Sequence, residues 1–106
     1  MYKVFRTDDF EKLMYKILTK EQQKRVGKIE VEISEEGFTG KPLWYKFLRE
    51  KRVGGDKRIY FLVYEDLNAV LMVALSDKKT QQETIDKIKE YLPEFRRLME
   101  ELVKFT

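Results

Sequence analysis

The chain is expected to fold as an α+β domain with an N-terminal strand, a helical hairpin, an antiparallel three-strand meander and one or two C-terminal helices. Three observations predict this. Apolar residues recur at helical spacing through the first third. Between Leu43 and Leu75 the pattern changes to aromatic, leucine and β-branched runs divided by turn sequences. After Ser76 the helical spacing returns.

Taken in order, Val4 and Phe5 belong to a short strand, and Thr7-Asp8-Asp9 then offers capping oxygens. Asp8 stands three residues before Glu11, as in a capping box. Phe10, Leu13, Met14, Ile17 and Leu18 form one apolar face, so a helix packs inward here. Thr19 opens a second box with Gln22, and Val26, Ile29 and Ile33 carry a second helical stripe to Gly37. The segment from Gly37 to Pro42 reads as a loop. Leu43 to Arg52, Lys57 to Tyr64 and Ala69 to Leu75 are the meander strands, joined by Gly54-Gly55-Asp56 and by Glu65-Asp66-Leu67-Asn68. Ala69 to Leu75 is apolar on both faces and belongs in the middle of the sheet. Ser76 or Asp77 caps a helix from about Lys79 to Tyr91, with Ile85, Ile88 and Leu92 on one face. Pro93 interrupts it, and Glu94 to Val103 resumes with Phe95, Leu98, Met99 and Leu102 on a stripe.

At 106 residues the chain fits one domain. Charged residues make up 39% of it, which with so few prolines and glycines describes a folded, highly charged globule. The abundance of Lys and Glu would suit a thermophile. Cysteine is absent, which removes disulfides, thiolate metal sites and cysteine nucleophiles. Histidine is absent as well, so neither an imidazole acid/base pair nor a Ser-His-Asp triad can be built. The carboxylates fall mostly on helix surfaces, so no metal site and no cofactor is expected. The phosphate-binding pattern GxxxxGK[ST] is missing, and Gly54-Gly55 joins strands instead of opening a helix. No apolar stretch approaches a membrane span or a signal-peptide core, which makes a cytosolic protein the simplest expectation.

Arg and Lys are what remain for chemistry, and they are unevenly placed. Between Lys41 and Arg58 seven cations face two anions, a local surplus of five in a chain whose net charge is +3. Two more cations, Lys78 and Lys79, follow the next apolar run. If the runs are neighbouring strands, these groups converge on one edge of a small sheet, where they can hold a phosphate. A solvated hairpin rich in lysine, which discourages edge-to-edge aggregation, is the structural alternative.

The ordered set Lys41-Pro42-Leu43, Leu48-Arg49-Glu50, Gly55-Asp56-Lys57-Arg58-Ile59-Tyr60-Phe61, Val70 to Leu75 and Ser76-Asp77-Lys78-Lys79-Thr80-Gln81-Gln82 resembles the RelE/ParE toxin superfamily, in particular its RelE and HigB-like branch. The order of elements agrees with that fold. The resemblance spans about residues 2 to 91, so residues 1–92 read as a RelE-like unit and residues 93–106 as a helical extension of the same domain. It implies the toxin of a type II toxin–antitoxin pair, an endoribonuclease that cuts mRNA in the ribosomal A site without a metal.

In that chemistry the ribose 2′-hydroxyl attacks the adjacent phosphate while basic side chains stabilise the developing charge. By resemblance Arg58 opens the penultimate strand and binds the scissile phosphate, its planar fork matching the non-bridging oxygens. Lys79 and its neighbour Lys78 fall where the family places a basic residue after the last strand, for phosphate stabilisation or leaving-group protonation. Positive charge at a helix start opposes the helix dipole, which favours an anion binding there. Arg49 matches the arginine of the HigB-like "LR" signature, with pairing to Glu50 or a helix carboxylate as its structural alternative. Lys46, Lys51, Arg52 and Lys57 are expected to contact RNA phosphates more diffusely. Tyr45, Tyr60 and Tyr64 are candidates for base stacking, although sheet packing explains each of them as well. The tyrosine and histidines that some members use have no counterpart here, which leaves Lys46, Lys51, Lys78 or Glu50 as candidates for the general base.

Two other functions stand beside the nuclease: a ParE-like inhibitor of DNA gyrase, and a non-catalytic RNA-binding relative. The partners implied are a cognate antitoxin, mRNA and the ribosome, with no membrane. The apolar stripe of the C-terminal helix also raises the expectation of a homodimer, since such a stripe needs a surface to cover it.

Overall fold

The computed structural model describes all residues from Met1 to Thr106. It contains β1 (Lys3–Arg6), α1 (Asp8–Ile17), α2 (Lys20–Glu36), β2 (Lys41–Leu43), β3 (Tyr45–Gly54), β4 (Lys57–Tyr64), β5 (Ala69–Ser76), α3 (Gln81–Glu90) and α4 (Leu92–Lys104). The strands form one sheet in the order β1-β5-β4-β3-β2, with β1 parallel to β5 and every other pair antiparallel. The expected α+β architecture is what forms, and β5 occupies an inner position as its two-sided apolarity required.

Alternation along the strands divides the core in two. Ile59, Phe61, Val63, Val70 and Met72 point to one face, where Phe10 and Met14 of α1 and Val26, Ile29 and Ile33 of α2 cover them. Leu48, Tyr60, Leu62, Leu71 and Val73 point to the other, under Ile85 and Ile88 of α3 and Met99 of α4. The stripe of α4 is covered within the chain except at Leu98, which is exposed: Met99 is fully buried, and Phe95 and Leu102 pack against the same cluster.

Local signals set most boundaries, with three differences from expectation. Thr7, not Asp8, caps α1, its Oγ1 accepting from the Phe10 N–H at 3.0 Å. With Phe10 at the third helical position no box can close, and Glu11 instead pairs with Arg6 at 3.3 Å. The Thr19–Gln22 box does close, at 3.1 and 3.0 Å. Second, the stretch read as a loop ends in the edge strand β2, and the chain reverses at Trp44, whose φ of 63° lies in the left-handed region. Pro42 is tolerated in β2 because an edge strand leaves one row of N–H groups unused. Third, α3 begins at Gln81, because Asp77 Oδ1 first holds Thr80 in a turn through its N–H at 2.9 Å and its hydroxyl at 3.0 Å.

Gly40 lets β2 lie close to β3. Its φ is +81°, and a Cβ there would meet the backbone oxygen of Glu50 at 2.5 Å. Gly40→Ala is expected to cost at least about 2 kcal/mol, combining left-handed strain with displacement of β2. Urea unfolding checks this, and a change below about 0.5 kcal/mol would contradict the account.

Candidate functional site

The strand registers bring one polar group together at the end of the α3/α4 face. Glu50 lies opposite Tyr60, and Arg58 lies between Arg52 on one side and Ser76 on the other. Glu50, Arg58 and Ser76 are the three buried polar or charged residues of the protein, at 7%, 5% and 5% exposure. Such groups are kept in a fold only when partnered, so their bonds matter.

Those bonds leave one donor over. Gln81, the first residue of α3, donates its amide to Glu50 Oε2 at 2.7 Å. Tyr60 and Ser76 share a hydroxyl hydrogen bond of 2.8 Å. Arg58 Nη1 donates to the Asp56 carbonyl at 2.9 Å. The Arg58 Nε–H is buried without an acceptor; the nearest carboxylate oxygen, Glu50 Oε1, stands 4.0 Å away. Arg58 is thus a buried guanidinium with an unused donor beside a fixed carboxylate.

Burial pushes the Tyr60 phenol up to about 12; the nearby Glu50 carboxylate works in the same direction, against the Ser76 hydrogen bond. Its neutral form is thus favoured in the fold. Because the folded value exceeds the ordinary 10.0, this stabilisation is complete below about pH 10 and is lost as pH rises through about 12. Urea midpoints measured across that window should fall less steeply for Tyr60→Phe than for the parent, and parallel slopes would contradict the assignment.

The other sequence candidates separate by position. Lys78 and Lys79 are exposed in the turn after β5, which starts at the Ser76 that faces Arg58. Arg52 is exposed directly across from Arg58. Lys57, half-buried, pairs with Asp56 at 3.4 Å. Arg49 goes elsewhere. It sits opposite Phe61, and its guanidinium donates to the carbonyls of Phe38, Thr39, Gly40 and Lys46 at 2.9 to 3.2 Å. Five donors in a rigid fork suit that task, which ties the α2–β2 loop to the sheet. Lys51 likewise faces α2, bonding Glu32 at 2.9 and 3.1 Å. Lys46 is exposed and lies 4.7 Å over the Phe38 ring. Of the tyrosines, Tyr60 is fully buried, the Tyr64 phenol is pushed up by burial, and Tyr45 stacks on Phe47 at 4.8 Å.

Gln81 and Ser76 escaped sequence reasoning. A polar residue ending the apolar run of β5 was a visible signal for Ser76. Gln81 stood within the Ser76 to Gln82 run, but its bond to Glu50 depends on α3 crossing above β3.

No protein-family model matches the sequence, and no curated protein matches it. Solved structures do. The isolated RelE toxin of Escherichia coli superposes with a TM-score of 0.62 at 15% identity, over 83% of this chain and 99% of RelE. The fold is that of RelE. A second match has the same score and identity: a RelE variant with two arginines replaced by alanine, in complex with a peptide of the antitoxin RelB, covering 78% of this chain and 93% of that one.

Proposed function

We propose that this protein is the toxin of a type II toxin–antitoxin pair and an endoribonuclease that cleaves mRNA, acting at the ribosome. The observation that carries the reading is the buried Arg58, with its Nε donor unpartnered and Glu50 at 4.0 Å. The guanidinium makes one hydrogen bond within the protein, so donors of its fork remain for an arriving phosphate. The RelE fold adds support.

In the proposed reaction the scissile phosphate lies against Arg58, its non-bridging oxygens taking the free guanidinium donors. Glu50, held by Gln81, accepts the proton of the ribose 2′-hydroxyl as the 2′-oxygen forms its bond to phosphorus. Lys79 or Lys78 donates a proton to the 5′-oxygen as the phosphorus–5′-oxygen bond breaks. The products are a 2′,3′-cyclic phosphate and a free 5′-hydroxyl, with no net change in protons. Arg52 and Lys57 hold neighbouring phosphates, and this binding weakens with salt. An acidic, extended antitoxin neutralising the same cationic end is the partner that charge complementarity selects.

Inducing the protein in cells and mapping mRNA 5′ ends tests the reading. Cuts inside translated codons are expected. A DNA-damage response with intact mRNA would replace this reading with gyrase inhibition, and neither response would leave an RNA-binding relative.

A further inference from the structure

We propose that Trp44 is a stacking platform for a base of single-stranded RNA, a few nucleotides from the phosphate held at Arg58. The inference rests on the nuclease reading and extends it to how the strand is held. Trp44 is the single tryptophan of the chain, and it is 75% exposed at the turn between β2 and β3. Its backbone sits at φ 63°, a region bulky residues rarely occupy. Strain spent on presenting a large apolar ring to water points to a use for the ring. The Lys89 ammonium lies 4.3 Å over it.

Helix α3 connects this ring to the site. Gln81 at its start bonds Glu50, and Lys89 near its end meets Trp44, so eight residues, about 12 Å of helix, separate the two. Two cations stand at the Arg58 end of this path. Lys41 is exposed directly opposite Glu50, and Arg52 directly opposite Arg58, on the same face. Trp44, Lys89, Lys41 and Arg52 therefore combine an aromatic surface with a cationic track along the β2–β3 edge. That pairing of stacking with backbone charge suits a single nucleic-acid strand; an apolar peptide would find its groove lined with ammonium groups.

Because Trp44 is the only tryptophan, its fluorescence reads the contact directly. The probe is a seven-nucleotide 2′-O-methyl oligoribonucleotide, which lacks the attacking hydroxyl. Saturable quenching is expected, and inorganic tripolyphosphate should produce none. Binding of a labelled copy should weaken by about 5- to 100-fold in Trp44→Ala and far less in Trp44→Phe. Quenching that persists in Arg58→Ala at saturating oligonucleotide would support a platform separate from the phosphate site. Unchanged binding by Trp44→Ala, with no quenching in the parent protein, would overturn the platform and leave the nuclease reading standing. A concentration-dependent blue shift without RNA would overturn it too, assigning Trp44 to self-association. Intact mRNA in cells alongside full quenching would reject the nuclease and retain the platform.

Discussion

Arg58→Ala is expected to lower mRNA cleavage by roughly 100- to 1,000-fold, the loss typical when one preorganised donor to a transition-state oxyanion is removed. Arg58 makes one hydrogen bond within the protein, to the Asp56 carbonyl, and stands 4.0 Å from the buried Glu50, so Arg58→Ala also leaves that carboxylate without its cation and lowers stability. Arg58→Lys keeps the charge and loses the planar geometry, and should recover only part of the rate. Cleavage measured in single turnover on programmed ribosomes separates the variants, with melting curves to show that each is folded. Undiminished cleavage by folded Arg58→Ala would remove the central assignment of the mechanism. Glu50→Gln offers an independent check: it keeps the hydrogen-bonding shape toward Gln81 and removes the base, so cleavage should fall while the melting curve shows the variant folded.

The second large effect is on stability. Phe61 is fully buried on β4, in the cluster that joins the sheet to α1 and α2. Phe61→Ala should cost about 3–5 kcal/mol through lost burial and an unfilled cavity. For a domain of this size that lowers the melting temperature by at least about 12 °C. Calorimetry and urea titration measure it, and a loss below about 1 kcal/mol would mean that the two faces of the sheet pack differently. Because a destabilised protein also loses activity, this variant marks how far loss of fold alone depresses cleavage, against which Arg58→Ala is to be compared.

Much of the architecture was legible because it is written in local periodicities. The i, i+3, i+4 stripes of Phe10 to Leu18 and of Val26 to Ile33 specified the two helices, and their caps followed from Thr7 and Thr19 within a residue. The apolar run of β5 announced its inner position. The short β2 was not legible. Three residues carry no period, and the strand exists because Gly40 and Trp44 adopt left-handed backbone and Arg49 gathers the preceding carbonyls.

The candidate site shows the same division. Residue types alone excluded imidazole and thiolate chemistry and left Arg and Lys, and the cationic surplus between Lys41 and Arg58 marked the segment that carries Arg58. Sequence does not rank cations that stand one or two residues apart. Alternation across the strands turns Arg49 and Lys51 toward α2 and turns Glu50, Arg52 and Arg58 toward the other face, and only pairing with β4 and β5 states which face becomes the site. The burial of Arg58, the free Nε and the grip of Gln81 on Glu50 are contacts between residues up to 31 positions apart, so they arise only when the sheet is assembled and α3 is laid across it. Composition and period thus determined the class of fold and the chemistry available, while the register of three strands and the crossing of one helix decided which arginine is held ready.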